Sequence, residues 1–309
     1  MTVLVTGGAG FIGSHIVDAL IQQGHKVVVV DNLSTGSEEN INPAAKFYHM
    51  SICDDELKKV FQQEKPEMVS HHAAQAVVIK SMSEPLFDAE QNILGSLNVI
   101  HNCMEFNVNK IIYASSGGAV YGEPSYHPVD ENHATNPISY YGVSKQTIER
   151  YLSIYSSRYG LNYVALRYAN VYGPRQNPHA EAGVVAIFTQ LMLKGEKPTI
   201  FGSGDKTRDY IDIRDVVTAH LLAINNGSNT ILNIGTGVET SDQELFNVIA
   251  ALLEFDLPPQ YALFRQGEVS RINLNCSKAA RELGWKPNIT LKDGLTETVN
   301  YYKRLYESN

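Results

Sequence analysis

Short apolar runs alternate along the chain with longer segments in which apolar residues recur every three or four positions. The short runs are typical of buried β-strands, and the longer segments are typical of amphipathic helices. The pattern predicts strands at 3–5, 26–30, 67–74, 110–114 and 163–170, and helices at 12–23, 88–106 and 139–159. Because strands that alternate with helices build parallel sheets, we predict an α/β fold with a doubly wound parallel sheet.

The alternation breaks down after Tyr172, where glycine and proline become frequent in stretches such as "YGPRQNP" and "FGSGD". We therefore predict two domains, a larger one at 1–172 and a smaller α/β domain formed mainly by 173–309. Two later segments near 208–237, "RDYIDIRDVV" and "ILNIGTG", have strand character and are expected to return to the large sheet.

Composition narrows the classes of protein to which this chain can belong. Of its 309 residues, 43% are hydrophobic and 19% are charged, which is typical of a folded chain with a large core. The net charge of −8 argues against nucleic acid or an anionic membrane as the main partner. The three cysteines form no CxxC pair and the N-terminus enters a strand directly, so we expect a soluble cytoplasmic protein with free thiols.

The first strand-to-helix turn, "VTGGAGFIGSH", carries Gly7, Gly10 and Gly13. These spacings allow a tight turn, a close approach of the backbone to a pyrophosphate, and packing of the helix on the strand. The pyrophosphate would lie at the helix N-terminus. Because the glycines follow a strand and open a helix, they predict a dinucleotide site in a sheet of the Rossmann type.

Asp31 ends the second predicted strand in "VVVVDN", 18 residues after Gly13. A carboxylate at this place can accept hydrogen bonds from both ribose hydroxyls and would repel a 2′-phosphate. The next residue is Asn32 rather than an arginine. We therefore predict NAD, and not NADP, as the cofactor.

Tyr141 and Lys145 in "SYYGVSK" are four residues apart, so on a helix they lie on one face. A free tyrosine is a poor base at neutral pH because its pKa is near 10, but a neighbouring ammonium and a positively charged nicotinamide stabilise the phenolate. We predict that Tyr141 exchanges a proton with an alcohol or ketone and that Lys145 assists it.

Eight motifs together make the chain resemble the extended short-chain dehydrogenase/reductase family, and within it the UDP-glucose (UDP-galactose) 4-epimerases. The resemblance covers essentially the whole chain, through "TGGAGFIGSH", "VVDNLSTG", "HHAAQA", "SSGGAVYGE", "YYGVSK", "LRYANVYGPRQ", "IFGSGDKTRDYI" and "NIGTG". It implies a UDP-sugar substrate, bound NAD and a homodimer paired through a four-helix bundle built from helices near 88–106 and 145–159.

The resemblance also implies roles for individual residues. Cofactor contacts would come from Gly7, Gly10, Phe11, Ile12, Gly13, Asp31, Asn32, Ser34, Ile52, Ala73, Ala74, Gln75, Asn92, Tyr141, Lys145 and Tyr168. Substrate contacts would come from Ser116, Tyr141, Asn170, Val184, Phe201, Arg208, Arg265 and Glu268. Two alternatives stay open: the arginines could form surface ion pairs with Asp209 and Glu268, and Phe201 could belong to the core.

Some positions depart from the family pattern or have an ordinary structural interpretation. Ser51 stands where relatives carry an aspartate for the adenine, although the backbone of Ile52 could replace that contact. Ile272 falls at the position that selects the sugar, where its small size would admit N-acetyl sugars. His71 and His72 have no Asp, Glu or Cys at ligand spacing, so we predict structural histidines and no metal. Trp285 is predicted to lie in the core.

The same scaffold supports dehydration and decarboxylation in relatives, which place acidic residues just after the hydroxyl at the strand exit. Here those positions are Gly117 and Gly118, which can supply neither acid nor base. We therefore predict 4-epimerisation of UDP-glucose or UDP-galactose through a transient 4-keto sugar. An N-acetylated or glucuronate UDP-sugar, a nucleotide-sugar dehydrogenase or reductase, and a non-catalytic NAD sensor remain alternatives.

The stretch "ASSGGAVYG" contains two candidates for the hydroxyl that assists Tyr141. Counting back from Tyr121 lands on Gly117, whereas counting forward from the strand "KIIY" lands on Ser116. Because strand pairing fixes which side chains point into the site, the forward count is preferred. The catalytic set predicted from the sequence is therefore Ser116, Tyr141 and Lys145, with Ser115 as a structural neighbour.

Overall fold

The computed structural model describes residues 1–178, 183–265 and 267–308. Its strands are β1 Thr2–Thr6, β2 Lys26–Asp31, β3 Lys46–His49, β4 Met68–His71, β5 Lys110–Ser116, β6 Asn162–Tyr168, β7 Asn170–Tyr172, β8 Thr199–Phe201, β9 Thr207–Asp212, β10 Thr230–Ile234, β11 Glu239–Ser241 and β12 Gln260–Ala262. Its α-helices are α1 Phe11–Gln22, α2 Leu57–Glu64, α3 Val78–Ser83, α4 Pro85–Ala89, α5 Gly95–Glu105, α6 Gly117–Val120, α7 Tyr140–Tyr159, α8 Val184–Leu193, α9 Ile213–Asn225, α10 Asp242–Leu253, α11 Ser277–Leu283 and α12 Leu291–Ser308. A 3-10 turn lies at Glu38–Asn40 and a π turn at Glu90–Leu94.

Seven parallel strands form the large sheet in the order β10-β6-β5-β4-β1-β2-β3. Alternate residues of each strand enter two different cores, as strand geometry requires. In β1, for example, Val3 and Val5 pack with α1 and α9, whereas Leu4 packs on the opposite face with α2 and α5. Both faces are covered by helices, which explains why the strands read as continuous apolar runs. The predicted doubly wound parallel fold is confirmed.

The two segments expected to return to the large sheet behave differently. Strand β10 pairs in parallel with β6 at the edge of the large sheet. Strand β9 instead lies in a three-stranded sheet in the order β11-β9-β7, so the expectation is wrong for this segment. Strand β6 ends at Tyr168, and after Ala169 the chain forms β7 outside the large sheet. Strand β9 pairs in parallel with β7, so it lies outside the large sheet as well.

Helix α8, helix α10 and helix α12 pack around a separate apolar core that includes Phe188, Phe246 and Val299. Val185 and Phe188 of this core line the same cavity as Ser116 and Tyr168, which end β5 and β6 of the large sheet. Ligands of open parallel sheets bind at such carboxyl ends, so the arrangement places a cleft where the sequence predicts the site.

The helix predicted at 88–106 is interrupted in the structure. Helix α4 runs into the π turn Glu90–Leu94, which continues directly into α5. Such π turns re-aim side chains and are frequent at functional sites. None of the helices in the described part of the chain is long and apolar enough to cross a membrane.

Candidate active site

A cavity of about 1180 Å³ lies at the carboxyl ends of the large sheet, beneath the smaller lobe. It is lined by all of the residues predicted to contact cofactor or substrate except Asn92. One half is bounded by the glycine turn, and the other half by residues of β8, β9 and the loop after β12. Tyr141 and Ser116 line the same cavity.

The glycine turn is shaped by contacts that no side chain would allow. Gly7 has a φ of +69°, and a Cβ there would lie 2.6 Å from the Ala73 backbone nitrogen. A Cβ on Gly13 would lie 2.0 Å from the Gly7 carbonyl oxygen. Gly10 is the N-cap of α1 and has no side-chain cap, so the first backbone N–H groups of the helix stay available for an anion.

Asp31 ends β2 beside this turn and is 8% exposed. One carboxylate oxygen accepts from the Ala9 N–H at 3.0 Å, and the other accepts from the Leu33 N–H at 2.8 Å. Each oxygen keeps a second lone pair. The carboxylate is therefore held rigidly and can still accept from the two hydroxyls of a ribose.

The turn at Ala73, Ala74 and Gln75 lines the cavity, whereas Asn92 lies behind it. Asn92 is 1% exposed, accepts from the Gln75 N–H at 2.8 Å and donates to the Gln75 carbonyl at 2.9 Å. The predicted contact between Asn92 and the cofactor stays a prediction, and Asn92 does not line the cavity itself. The π turn points its amide at the backbone of Gln75, so Asn92 shapes the turn that the cofactor would touch.

Asp88 is a residue of this region that the sequence reasoning missed. It is fully buried, and one oxygen accepts from the side-chain amides of Gln75 at 3.0 Å and Asn92 at 2.9 Å. Its other oxygen accepts from the Ser144 hydroxyl at 2.6 Å. Asp88 thus joins the cofactor turn to α7. An acidic residue four positions before Asn92 on a predicted helix was the available signal.

Tyr141 and Lys145 lie one turn apart on α7, with Lys145 Nζ 5.7 Å from the Tyr141 ring centroid. Nζ also donates to the Ala114 carbonyl at 2.8 Å and sits 5.0 Å from the Tyr113 ring. Burial lowers the pKa of Lys145 to about 8, against the opposing influence of Asp88. Burial likewise raises the pKa of Tyr141 to about 12, and its hydrogen bond with Ser116 acts in the opposite direction.

The two adjacent serines at the end of β5 have different surroundings. Ser116 pairs in register with Tyr168, lines the cavity and hydrogen-bonds Tyr141. Ser115 donates instead to Glu149 Oε1 at 2.6 Å. The structure therefore brings Ser116, as the forward count from the strand indicates, against Tyr141.

No acid or base stands immediately after Ser116 in the sequence. A Cβ on Gly117 would lie 2.5 Å from Leu274 Cδ1, and one on Gly118 would lie 3.4 Å from Asn170 Oδ1. Leu274 thus occupies the space that a side chain at position 117 would need. Asn170, predicted to contact the substrate, lines the cavity next to Gly118.

The far half of the cavity carries the two predicted arginines. The Arg265 guanidinium lies 3.4 Å from the Phe201 ring centroid, so Phe201 forms a stacking platform and not part of the core. Arg265 Nη1 is 3.8 Å from Glu268 Oε1, a loose and partly exposed pair. Val184, at the start of α8, lines this half as well.

Arg208 has no ion pair with Asp209, so that alternative is wrong. Asp209 is 1% exposed and accepts from the backbone N–H groups of Thr236, Gly237 and Leu274. Neighbouring residues of a strand point to opposite faces, which separates the two side chains. Arg208 donates to the Thr207 carbonyl at 2.8 Å, and no carboxylate of the described chain lies within ion-pair distance of it.

Lys206 is a second residue that the sequence reasoning missed. Its Nζ is 2.7 Å from Glu268 Oε2 and 3.2 Å from Asp242 Oδ2, and all three residues line the cavity. A lysine in a polar loop before "TRDYI" gives no signal of its own, because its partners come from distant parts of the chain.

Ser51 and Ile272, the two positions that depart from the family pattern, both lie outside the cavity lining. Ser51 does not line the cavity, and its hydroxyl accepts from the Cys53 N–H at 3.1 Å. Ile52 does line it, at 5% exposure. Ile272 is 2% exposed in a small core with Val269 and lies outside the cavity lining.

The two histidines at the end of β4 differ from one another. His71 is fully enclosed, with Nδ1 2.7 Å from the Thr6 hydroxyl and Nε2 2.9 Å from the Ser96 hydroxyl, and burial lowers its pKa to about 3. It is a neutral structural residue, as predicted. His72 contacts Ser70 and lines the cavity. No group of three or more potential metal ligands occurs within the described ranges.

Two buried polar atoms among the described residues of this region, His72 Nδ1 and the Tyr168 hydroxyl, have no hydrogen-bond partner. The two rings stack at 6.4 Å. Both residues line the half of the cavity next to the glycine turn. Since buried polar groups are normally paired, these atoms, the capless helix N-terminus and the Asp31 carboxylate fit a polar dinucleotide.

Comparisons with known proteins agree with this geometry. Residues 3–235 match the NAD dependent epimerase/dehydratase family. A UDP-glucose 4-epimerase of Thermotoga maritima, solved with UDP-glucose, is 48% identical and covers 99% of both chains, with a TM-score of 0.97.

Two further solved structures extend the comparison. The Thermus thermophilus UDP-glucose 4-epimerase in complex with NAD is 42% identical, with a TM-score of 0.94 and coverage of 98% of this chain and 99% of that one. The Methanobrevibacter ruminantium UDP-N-acetylglucosamine 4-epimerase, in complex with UDP-N-acetylmuramic acid, is 36% identical, with a TM-score of 0.92 and coverage of 98% of both.

Proposed function

This chain belongs to the NAD dependent epimerase/dehydratase family, and we propose that it interconverts UDP-glucose and UDP-galactose by inverting C4. The observation that carries the proposal is the contact of Ser116 with Tyr141, one helical turn from Lys145, with all three residues lining the cavity. This trio can exchange a proton with a sugar hydroxyl placed between a dinucleotide and a nucleotide diphosphate.

The glycine turn, Asp31, Ile52 and the turn at Ala73–Gln75 would hold NAD in the first half of the cavity. Bound there, NAD supplies reversible hydride transfer at C4, so that the sugar passes through a 4-ketone without an external reductant. The Asp31 carboxylate favours an unphosphorylated ribose, because a 2′-phosphate would face its negative charge.

Tyr141 would take the proton of the 4-hydroxyl and later return it to the 4-oxygen. Burial alone works against this role, since it raises the pKa of Tyr141 to about 12. The hydrogen bond with Ser116 lowers this pKa and Asp88 raises it. The Lys145 ammonium, 5.7 Å from the Tyr141 ring centroid, would favour the phenolate through its positive charge. Ser116 would in addition hold the 4-oxygen beside Tyr141, which keeps the proton path short.

The absence of an acid–base pair directly after Ser116 favours epimerisation over elimination. Dehydration of a 4-keto sugar needs a proton acceptor and a donor near C5 and C6. Gly117 and Gly118 offer neither, and Leu274 fills the space beside Gly117. The ketone would therefore be reduced again and not lose water.

Arg208 and Arg265 would bind the diphosphate of the substrate in the second half of the cavity. Guanidinium groups suit this task because they offer several fixed donors and stay charged. Phe201 would stack on the uracil and Asn170 would contact the phosphates or sugar, with Val184 completing the wall. Glu268 would accept from the ribose hydroxyls.

An N-acetylated UDP-sugar is a second candidate substrate. Ile272 does not line the cavity, so its size favours neither substrate. The similarity to the Methanobrevibacter ruminantium UDP-N-acetylglucosamine 4-epimerase supports this alternative.

We also propose that the protein forms a homodimer through α5 and α7 of each copy. These helices pack side by side, and apolar residues are exposed on α7 and on the π turn before α5. They include Ile154 at 55% and Tyr151 at 38% exposure on α7, and Leu94 at 62% in the π turn. Light scattering after gel filtration should give twice the chain mass, and Ile154→Glu should shift it towards the monomer.

The proposed activity is tested by incubating the purified protein separately with UDP-galactose, UDP-N-acetylgalactosamine and UDP-glucuronate and separating the products by chromatography. We expect UDP-glucose from the first without added NADH. A product only from an N-acetylated or acidic sugar would establish the corresponding alternative, and NADH formed in proportion to substrate would indicate a dehydrogenase.

A further inference from the structure

Lys206 occupies an unusual place between two carboxylates at the nucleotide end of the cavity. Its side chain is 13% exposed, with Nζ 2.7 Å from Glu268 Oε2 and 3.2 Å from Asp242 Oδ2. Asp242 is the first residue of α10, and Glu268 lies in the loop after β12. The Lys206 ammonium therefore contacts both Asp242 and Glu268, which are 26 positions apart in the sequence.

The ion pair leaves Glu268 able to bind a ligand. Lys206 contacts only Oε2, while Oε1 has Arg265 at a loose 3.8 Å. A carboxylate has about four lone-pair positions, so Oε1 and one position on Oε2 can accept from a pair of vicinal hydroxyls. Among the parts of a nucleoside diphosphate sugar near this end, the ribose 2′- and 3′-hydroxyls have that geometry.

Lys206 also sets the charge of this end of the cavity. With Arg208 and Arg265 it opposes Asp242 and Glu268, which leaves one net positive charge beside the expected diphosphate. Without Lys206 the positive and negative charges balance. The two carboxylates would then face each other without a shared counterion, and each would tend to turn towards solvent.

We propose that Lys206 is a positioning residue for nucleotide recognition, which orients Glu268 to select a ribose over a deoxyribose. The proposal rests on the proposed function, because it takes a UDP-sugar as the occupant of this half. Lys206 acts through the Glu268 carboxylate, and its charge additionally favours the diphosphate.

The test measures binding of UDP and 2′-deoxy-UDP by calorimetry, so that it does not depend on turnover. We expect the unmodified protein to bind UDP about tenfold more tightly than 2′-deoxy-UDP, as for one hydrogen bond to a charged group. Lys206→Met should weaken UDP binding and reduce the UDP preference to about twofold or less. Lys206→Arg, which keeps the charge, should retain most of the preference.

Two further variants separate positioning from general loss of structure. Glu268→Leu, which removes the acceptor, should also abolish the preference, and the double variant should lose no more of it than either single variant, because both act through one contact. Thermal unfolding of each variant checks that the fold persists. A UDP preference that is unchanged in folded Lys206→Met overturns the proposal, as does one that survives Glu268→Leu. Failure of the unmodified protein to bind UDP at all would instead overturn the proposed function.

Discussion

Ser115 donates its hydroxyl to Glu149 Oε1 over 2.6 Å inside the protein. Glu149 is 2% exposed and also pairs with Arg167, whose Nε and Nη2 lie 2.9 and 2.6 Å from its two oxygens. Ser116, the next residue, faces the cavity and Tyr141. At the end of β5, Ser115 therefore belongs to a buried ionic network, whereas Ser116 lines the candidate active site.

Substitution of the two serines should separate stability from turnover. Ser116→Ala should lower kcat by roughly 10-fold to 100-fold, since one hydrogen bond that orients the 4-oxygen is lost. Ser115→Ala should leave kcat within about threefold but lower the free energy of unfolding by about 1–3 kcal/mol, because Glu149 loses a buried donor. Steady-state kinetics measure kcat, and urea unfolding measures the free energy of unfolding. A large loss of kcat in Ser115→Ala and not in Ser116→Ala would mean that Ser115 is the catalytic serine.

Tyr141→Phe should lower kcat by about 10²–10⁴-fold, because it removes the group that exchanges the proton. Tyr140→Phe is the matched control, since Tyr140 is the neighbouring residue, is 48% exposed and lies about 100° away around the helix. Its kcat should stay within about twofold of the unmodified value. Equal losses in both variants would remove Tyr141 from its proposed role.

The buried Lys145 predicts a pH dependence of stability. Burial lowers its pKa from 10.5 to about 8, so between these values the unfolded chain binds more protons than the folded one. Stability relative to Lys145→Met should therefore increase with pH, by about 2 kcal/mol between about pH 7.5 and about pH 9.5.

Urea unfolding of both proteins across this range measures the difference. Lys58→Met is the control, because Lys58 is exposed and pairs with Glu105 on the surface. Its difference from the unmodified protein should be flat over the same range. A flat difference for Lys145→Met as well would mean that its ammonium is not desolvated.

Lys110 stabilises the C-terminal end of α9, so its substitution should lower the free energy of unfolding substantially. It is 8% exposed, and its Nζ lies 2.6 to 3.3 Å from the carbonyl oxygens of Ala223, Ile224, Asn226 and Gly227 at the C-terminus of α9. Lys110→Met should lower the free energy of unfolding by about 2–3 kcal/mol, because these carbonyls lose a charged donor and the helix dipole loses its counter-charge. Lys58→Met, with its surface ion pair, should cost less than about 1 kcal/mol.

Local signals were sufficient to predict the sheet and the cofactor half of the cavity. The glycine turn, Asp31 and the Tyr141–Lys145 pair lie close together in sequence or at strand ends, and parallel strands end at a common edge. Apolar periodicity likewise identified most strands of the large sheet. The short strand β3 was missed because it is only partly buried and has no continuous apolar run. Helix α2 was missed as well.

The positions of Asn92, Lys206 and Ile272 could not be predicted, because they depend on contacts between segments that are distant in the sequence. Asn92 could not be placed behind the turn without the π turn before α5. Lys206 has a role only once Asp242 and Glu268 are folded against it. The same limit explains Ile272, which spacing alone aligned with the sugar although its side chain packs into a core.

In the proposed reaction, C4 of the sugar is oxidised and reduced again within one binding event. This proposal is tested most directly with UDP-galactose that carries deuterium at C4, followed by NMR of the sugar product in ordinary water. We expect UDP-glucose that retains the deuterium at C4, with no accumulation of NADH. Product that has exchanged the label with solvent, or no epimerised product at all, would contradict it.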